Sequence, residues 1–401
     1  MPESPTPSEP PLRVGVVTAW PPGRNSLNEF GFHLVSHLAA HPEVSEVVVY
    51  ADETDAGPPV RVPGARVVTA WRFNDVATLW RLVRTVRRDR VDAVLLNVQF
   101  ATFGDRRVPG ALGLLAPAVL RLAGVPSVVV LHNLADNVDM RDAGFAGSRV
   151  TAAAMQLAGR LLTLALLRAN LVALTIPRYV ELLEDRYRAR NAVLMPHGSF
   201  EEVETPSFDV PEGPRRILAF GKWGTYKTVD MLVDAYEELL GRGYDDLELV
   251  IAGADSPNSP GYLDGVAERH RDLPGLVLTG YVPEEDVAGL FSSATAVAFP
   301  YTSTTGSSGV LHQAGTYGRA AVLPRIGDFV EVIEEEGFSG EYFVPGDAAS
   351  LADALVKVLD DEGRRVDLGR RNFAAAAGIP MSEVVDWHVV HLRNLLGGHH
   401  R

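Results

Sequence analysis

From Leu12 onward, short apolar, β-branched runs alternate with longer stretches in which apolar residues recur every three or four positions. Residues 13–19 form the first such run, 21–26 a turn-rich loop, and 28–40 a stretch with Phe30, Leu34 and Leu38 at helical spacing. Continuous apolar runs at 46–50, 93–97, 127–131 and 171–175 predict further buried strands, with helices filling most of the gaps. The pattern lapses between Gly198 and Pro214, where Glu201, Glu202, Glu204, Pro206 and Pro211 would break a helix or a central strand. A second alternating series then predicts strands at 216–220, 248–252, 276–279, 296–299 and 320–323. Alternation of this kind builds parallel sheets flanked by helices, so the fold class is α/β with two doubly wound domains. A last amphipathic stretch, 387–396, follows Gly378 and Pro380 and is expected to pack back across the first domain.

The domain plan that follows is a disordered tail over 1–11, a first domain over 12–205, a second over 213–379, and a returning helix within 380–401. A chain of 401 residues exceeds what one hydrophobic core usually serves, and 46% hydrophobic against 22% charged residues suffices for two cores. The tail is rich in Pro, Ser and Glu and lacks the basic start and apolar core of a signal peptide. Acidic residues outnumber basic ones by 51 to 37, and the net charge of -14 argues against a sequence-independent grip on nucleic acid. The absence of cysteine removes disulfides and thiolate metal ligands and fits a reducing, cytoplasmic setting. The most apolar stretch, 150–176, is broken by Arg160 and Arg168, and so reads as a buried or interface-lying helix rather than a membrane span.

Ligands of doubly wound sheets bind outside the carboxyl ends of the strands, so the loops after the strands carry the candidate chemistry. Gly221-Lys222-Trp223-Gly224-Thr225-Tyr226-Lys227 follows the first strand of the second domain. Its two lysines can converge on one anion and neutralise charge on a departing phosphate; the same spacing also suits solvated surface lysines. Thr304-Thr305-Gly306-Ser307-Ser308-Gly309-Val310 precedes a helix through Tyr317. Small residues at a helix start let backbone N–H groups approach a diphosphate, although an ordinary turn has the same composition.

From about Leu12 onward the chain resembles a glycosyltransferase of family 4 with the GT-B fold. The residues that carry the resemblance are Gly221-Lys222 with Lys227, Val250-Ile251-Ala252-Gly253, Gly280-Tyr281-Val282-Pro283, and Gly306-Ser307-Ser308-Gly309 through Ala314, Tyr317 and Gly318. The resemblance implies two Rossmann-like domains facing across a cleft and retaining transfer of a sugar from a nucleoside diphosphate sugar. It implies no metal and no cofactor beyond that co-substrate. Lys222 and Lys227 would hold the donor diphosphate, with Lys222 where arginine is commoner. Gly253, Tyr281 and Val282 would line the donor site with Val310 and the Gly306–Gly309 loop. The paired glutamates of the family fall on Thr305 and Gln313, neither of which is acidic; the Gln313 amide can still hydrogen-bond ribose hydroxyls.

In the first domain, Arg24, Asn25 and Ser26 lie where the family keeps a loop against donor phosphate and acceptor. His132 ends a predicted strand where the family often has a histidine near the transferring sugar, and such a group can donate a hydrogen bond or assist a proton transfer. A structural histidine is the alternative. Asn133, Asp136 and Asp139 are candidates for acceptor contacts. His197 resembles the end of the family's first domain, His312 reads as packing, and His399 and His400 as tail. The acceptor would be a saccharide, a natural product or a lipid-linked hydroxyl; residues 108–122 and 150–167 could form an amphipathic face at a membrane surface, but core helices are the favoured account of both stretches. A nucleotide-sugar epimerase and a non-catalytic nucleotide-sugar-binding protein are the competing functions.

Overall fold

The computed structural model describes residues 10–23, 27–134, 149–200, 204–256, 259–303, 308–327 and 329–397. The chain divides into two units, Met1–His197 with Met381–Arg401, and Gly198–Pro380.

The first unit opens with β1 (Leu12–Val17), α1 (Asn28–Ala40), β2 (Val44–Asp52), β3 (Ala65–Trp71), α2 (Thr78–Asp89) and β4 (Ala93–Val98). It continues with α3 (Arg107–Leu114), α4 (Ala116–Leu122), β5 (Ser127–Leu131), α5 (Arg149–Leu166), β6 (Leu171–Leu174), α6 (Pro177–Tyr187) and β7 (Ala192–Leu194). Among the described residues the sheet has seven strands in the order β3-β2-β1-β4-β5-β6-β7, all paired in parallel. Strand order reverses between β1 and β4. Every residue of β4 and β5 is buried, which is why both read as apolar runs broken only by Asn97 and by Ser127 at the start of β5.

The second unit contains β8 (Arg215–Phe220), α7 (Asp230–Gly241), β9 (Leu247–Ala252), α8 (Tyr262–Arg269), β10 (Leu276–Gly280), α9 (Glu284–Ser292) and β11 (Ala296–Ala298). After these come α10 (Gly309–Thr316), β12 (Ala320–Pro324), α11 (Phe329–Glu335), β13 (Gly340–Phe343), α12 (Ala348–Asp360) and α13 (Glu362–Ala377). Its six described strands run parallel in the order β10-β9-β8-β11-β12-β13, with the reversal between β8 and β11. Side chains alternate across β8. Ile217 and Ala219 pack with Leu232, Tyr236 and Leu355 on one face, and Leu218 packs with Phe291, Phe299 and Phe338 on the other. Aspartates start the last two helices: Asp347 accepts from Ser350 N and Asp361 from Arg364 N, at 3.0 and 2.9 Å.

α14 (Met381–Gly397) returns to the first unit. There Arg393 donates to Glu43 and to the Pro10 carbonyl, both at 2.9 Å, and His41 lies 3.1 Å from Asp386. The helix begins at Met381, upstream of the 387 expected, because the turn at Pro380 is followed at once by helical residues. Residues 198–205, assigned above to the first domain, group with the second unit. Ser199 N donates to the Ile379 carbonyl at 2.8 Å, and Arg319 donates to the Ser207 carbonyl at 2.6 Å, pinning the proline-rich stretch to that unit. No helix among the described residues is long and apolar enough to cross a membrane.

Candidate functional site

Strand order reverses between β8 and β11, and doubly wound sheets bind ligands in the crevice outside the carboxyl ends of the strands at such a reversal. The loop from Gly221 to Lys227 leaves β8 there. Trp223, between the two lysines, is fully buried; its indole N–H donates to the Ala252 carbonyl at 2.9 Å and its backbone N–H to the Ala254 carbonyl at 3.0 Å. Burying an aromatic side chain of this size stabilises by about 2–3 kcal/mol, so the loop is held by the residue that turns inward. Lys222 is left exposed and Lys227 half-buried.

Lys227 pairs with Tyr301 in an isolated antiparallel bridge, and its ammonium lies 4.4 Å from the Tyr301 ring centroid and 5.9 Å from that of Tyr226. A methyl group built on Gly221 would lie 3.7 Å from the same nitrogen, so the lysine folds back over the end of β8. Thr302 N and Oγ1 both donate to the Tyr226 carbonyl, at 2.8 and 3.0 Å. The β8 loop is thus laced to the segment after β11 that leads toward α10. A cation held over an aromatic face beside a strand end is pre-positioned for an anion in the crevice.

Backbone forms the adjoining floor. Gly253 N donates to the Gly280 carbonyl at 2.9 Å, and Gly221 N to the Ala252 carbonyl at 3.1 Å. Gly253 has φ +108°, and a Cβ there would lie 1.9 Å from the Gly221 carbonyl oxygen, so no side chain fits between the ends of β8 and β9. Beyond β10, Tyr281 is exposed and Val282 leans on the core.

Ser308, half-buried, precedes α10, whose start receives no side-chain cap from it. Gly309 and Val310 form its first turn, and Gln313 is buried one turn further on. An uncapped helix start offers N–H groups and partial positive charge to an anion. His312 is buried 3.4 Å from Ser199 Oγ and 3.6 Å from Glu336, with its ring 4.8 Å from that of Phe338. That arrangement fixes α10 in its unit, in keeping with the packing role expected of His312.

In the first unit the corresponding reversal, between β1 and β4, holds a buried polar chain. Asn97 at the end of β4 donates to Thr18 Oγ1 at 2.9 Å and to the Leu27 carbonyl at 3.3 Å, and its Oδ1 lies 2.7 Å from His132 Nε2. Burial, with a smaller effect of the His388 ring, pushes the His132 imidazole down to about 3. His132 is therefore a neutral ring whose Nε2–H is given to Asn97, leaving Nδ1 as its one acceptor. This geometry favours orienting the strand ends over donating a proton. Phe30 packs edge-on against both His132 and His197, at 4.5 and 4.9 Å between centroids. Asn133 Oδ1 accepts from Phe100 N at 3.1 Å.

Arg24, Asn25, Ser26, Asp136, Asp139, Thr305, Gly306, Ser307, His399 and His400 lie outside the described residues. Sequence reasoning missed Tyr301, Asn97 and Thr18. Asn97 had a signal, being the one polar residue in the run Ala93–Val98 at a strand's carboxyl end. Among the described residues no group of three or more His, Asp or Glu could hold a metal ion.

Residues 214–361 match a family model described as glycosyl transferases group 1. In structure the chain is similar to sucrose-phosphate synthase from Thermosynechococcus elongatus, with a TM-score of 0.75 at 18% identity, over 96% of this chain and 100% of that one. It is similar to HepE from Anabaena in complex with UDP and glucose, with a TM-score of 0.69 at 14% identity, over 96% and 100% of the two chains. It is also similar to a UDP-forming α,α-trehalose-phosphate synthase from Burkholderia xenovorans, with a TM-score of 0.66 at 15% identity, over 96% and 99%. No curated protein matches the chain in sequence. The fold is GT-B, two Rossmann-like units each built on a parallel sheet.

Proposed function

We propose that the protein is a family 4 glycosyltransferase that moves a sugar from a nucleoside diphosphate sugar to an acceptor hydroxyl with retention of configuration. The observation that carries this reading is the placement of Lys227 over Tyr301 at the β8/β11 reversal, inside the stretch that matches the glycosyltransferase model. Similar structures, one of them with UDP and glucose bound, favour the same donor class.

In this reading the donor diphosphate lies between the β8 loop and the start of α10. Lys227 and Lys222, with the N–H groups of the first turn of α10, stabilise the charge that develops as the bond from anomeric carbon to phosphate oxygen breaks. The acceptor oxygen bonds to that carbon on the same face, and its proton passes to the departing phosphate. The products are a glycoside and a nucleoside diphosphate. Protein cations take the place of a divalent ion, and Gln313 stands where an acidic residue would contact the donor.

A donor panel tests this, with nucleoside diphosphate release measured with and without saccharide, natural-product and lipid-linked acceptors. Acceptor-dependent release is expected. Tight donor binding with neither transfer nor slow hydrolysis would reject catalysis and favour the nucleotide-sugar-binding reading, to which the missing carboxylate at Gln313 points.

A further inference from the structure

Acidic residues predominate over the whole chain, yet α3, α4 and α5 contain no aspartate or glutamate and carry arginine as their only charge. The neighbouring α2 adds four arginines against Asp89 alone. α2 touches α3 and α4, and both of these touch α5, so the four helices form one layer on the first unit.

The outer face of α5 inverts the usual surface pattern. Leu157, Leu161 and Leu164 are 59%, 58% and 47% exposed at spacings of four and three, with Arg160 and Arg168 exposed beside them. Thr163 and Leu166 of the same helix segment are the buried ones. Arg121 donates to the carbonyls of Arg168 and Ala169 at 3.0 and 3.2 Å, which sets Leu122, 89% exposed, beside the carboxyl end of α5. Trp80 stands out from α2 at 72% exposed. Single exposed leucines are ordinary, but a leucine stripe set among arginines, without a carboxylate in its own or the adjoining two helices, marks an interaction surface.

We propose that this layer docks on an anionic lipid bilayer, its leucines entering the acyl boundary and its guanidinium groups meeting headgroup phosphates. Charge chooses the occupant. A second copy paired through the same patch would set arginines against arginines, whereas anionic headgroups supply the opposite sign. Because the chain as a whole carries a net charge of -14, an anionic surface favours approach through this arginine-rich layer, so docking also orients the protein. Contact stays interfacial, since no described helix can span the bilayer.

Docking is read without any transferase assay, so its failure and a failure of the proposed activity are separate results. The full chain is floated with vesicles of equal parts phosphatidylcholine and phosphatidylglycerol, and with phosphatidylcholine alone. Binding to the anionic vesicles at low salt is expected, weaker by at least about 10-fold on the neutral ones and in high salt. The doubles Leu157→Ser/Leu161→Ser and Arg84→Glu/Arg87→Glu change exposed positions only, and each should weaken binding by about 10-fold or more while the circular dichroism melt stays in place. Tryptophan emission should shift to the blue on binding, and Trp80→Phe should remove most of that shift. Absence of the wild-type chain from the anionic vesicle fraction overturns the proposal, as does unchanged flotation of both doubles. A dimer in solution that Leu161→Ser dissociates would also overturn it, in favour of a second copy as occupant.

Discussion

The ammonium of Lys227 lies 4.4 Å from the centroid of the Tyr301 ring, across the boundary between β8 and β11. The ring face holds the cation in place, while the Tyr301 hydroxyl is buried without a hydrogen-bond partner. Tyr301→Phe should therefore leave stability and donor affinity nearly unchanged. Tyr301→Leu removes the aromatic face and should weaken donor binding by about 3- to 10-fold, corresponding to the ~1 kcal/mol of a partly exposed cation–π contact. Calorimetric titration of the two variants compares them directly; equal affinities would show that the ring does not position the lysine.

Lys227→Ala keeps the backbone bridge to Tyr301 and removes the ammonium together with its stem and its contact with the ring. Turnover should fall by about 100-fold or more, the usual scale for losing one preorganised stabiliser of developing negative charge. The melting temperature should hardly move. Wild-type turnover in the variant would take Lys227 out of the mechanism.

Gly253→Ala should destabilise the second unit by about 3 kcal/mol or more, because a methyl group 1.9 Å from the Gly221 carbonyl oxygen must push β8 and β9 apart at φ +108°. Urea denaturation is the measurement. A small loss of stability would mean that the ends of the two strands can separate freely.

Acid should destabilise the first unit. Burial pushes both His132 and His388 from an ordinary 6.5 down to about 3, so between those values the unfolded chain binds protons that the folded one refuses. Stability is therefore full above about pH 6.5 and falls as the pH drops, by about 1.4 kcal/mol per pH unit for each ring. Neither ring nitrogen of His388 has a hydrogen-bond partner. His388→Leu should thus flatten the acid slope and leave stability at pH 7 equal or about 1 kcal/mol higher. Denaturation curves at pH 7 and pH 5 read both effects; an unchanged slope would assign acid sensitivity to other groups.

The interior of the fold was legible because its strands are buried on both faces. β4 and β5 match the apolar runs at 93–97 and 127–131 almost residue for residue. The strands that went unread, β3, β7 and β13, all lie at sheet edges. Their burial is partial, as in β7, which has no buried residue, so the continuous apolar signal is lacking. The site divides in the same way. Glycine and lysine after β8 are local signals, whereas the pairing of Lys227 with Tyr301 joins residues brought together only by the sheet order. Glu336 shows the opposite limit: within a run of glutamates it reads as surface charge, yet it is buried beside His312.

Ser199 bridges Pro380, so the stretch 198–380 enters and leaves its unit through adjoining residues. In gene-construction terms it is a cassette inserted into a host. It can be cut out as one uninterrupted polypeptide with neighbouring termini, and a short peptide between His197 and Met381 would reseal the host with α14 still attached.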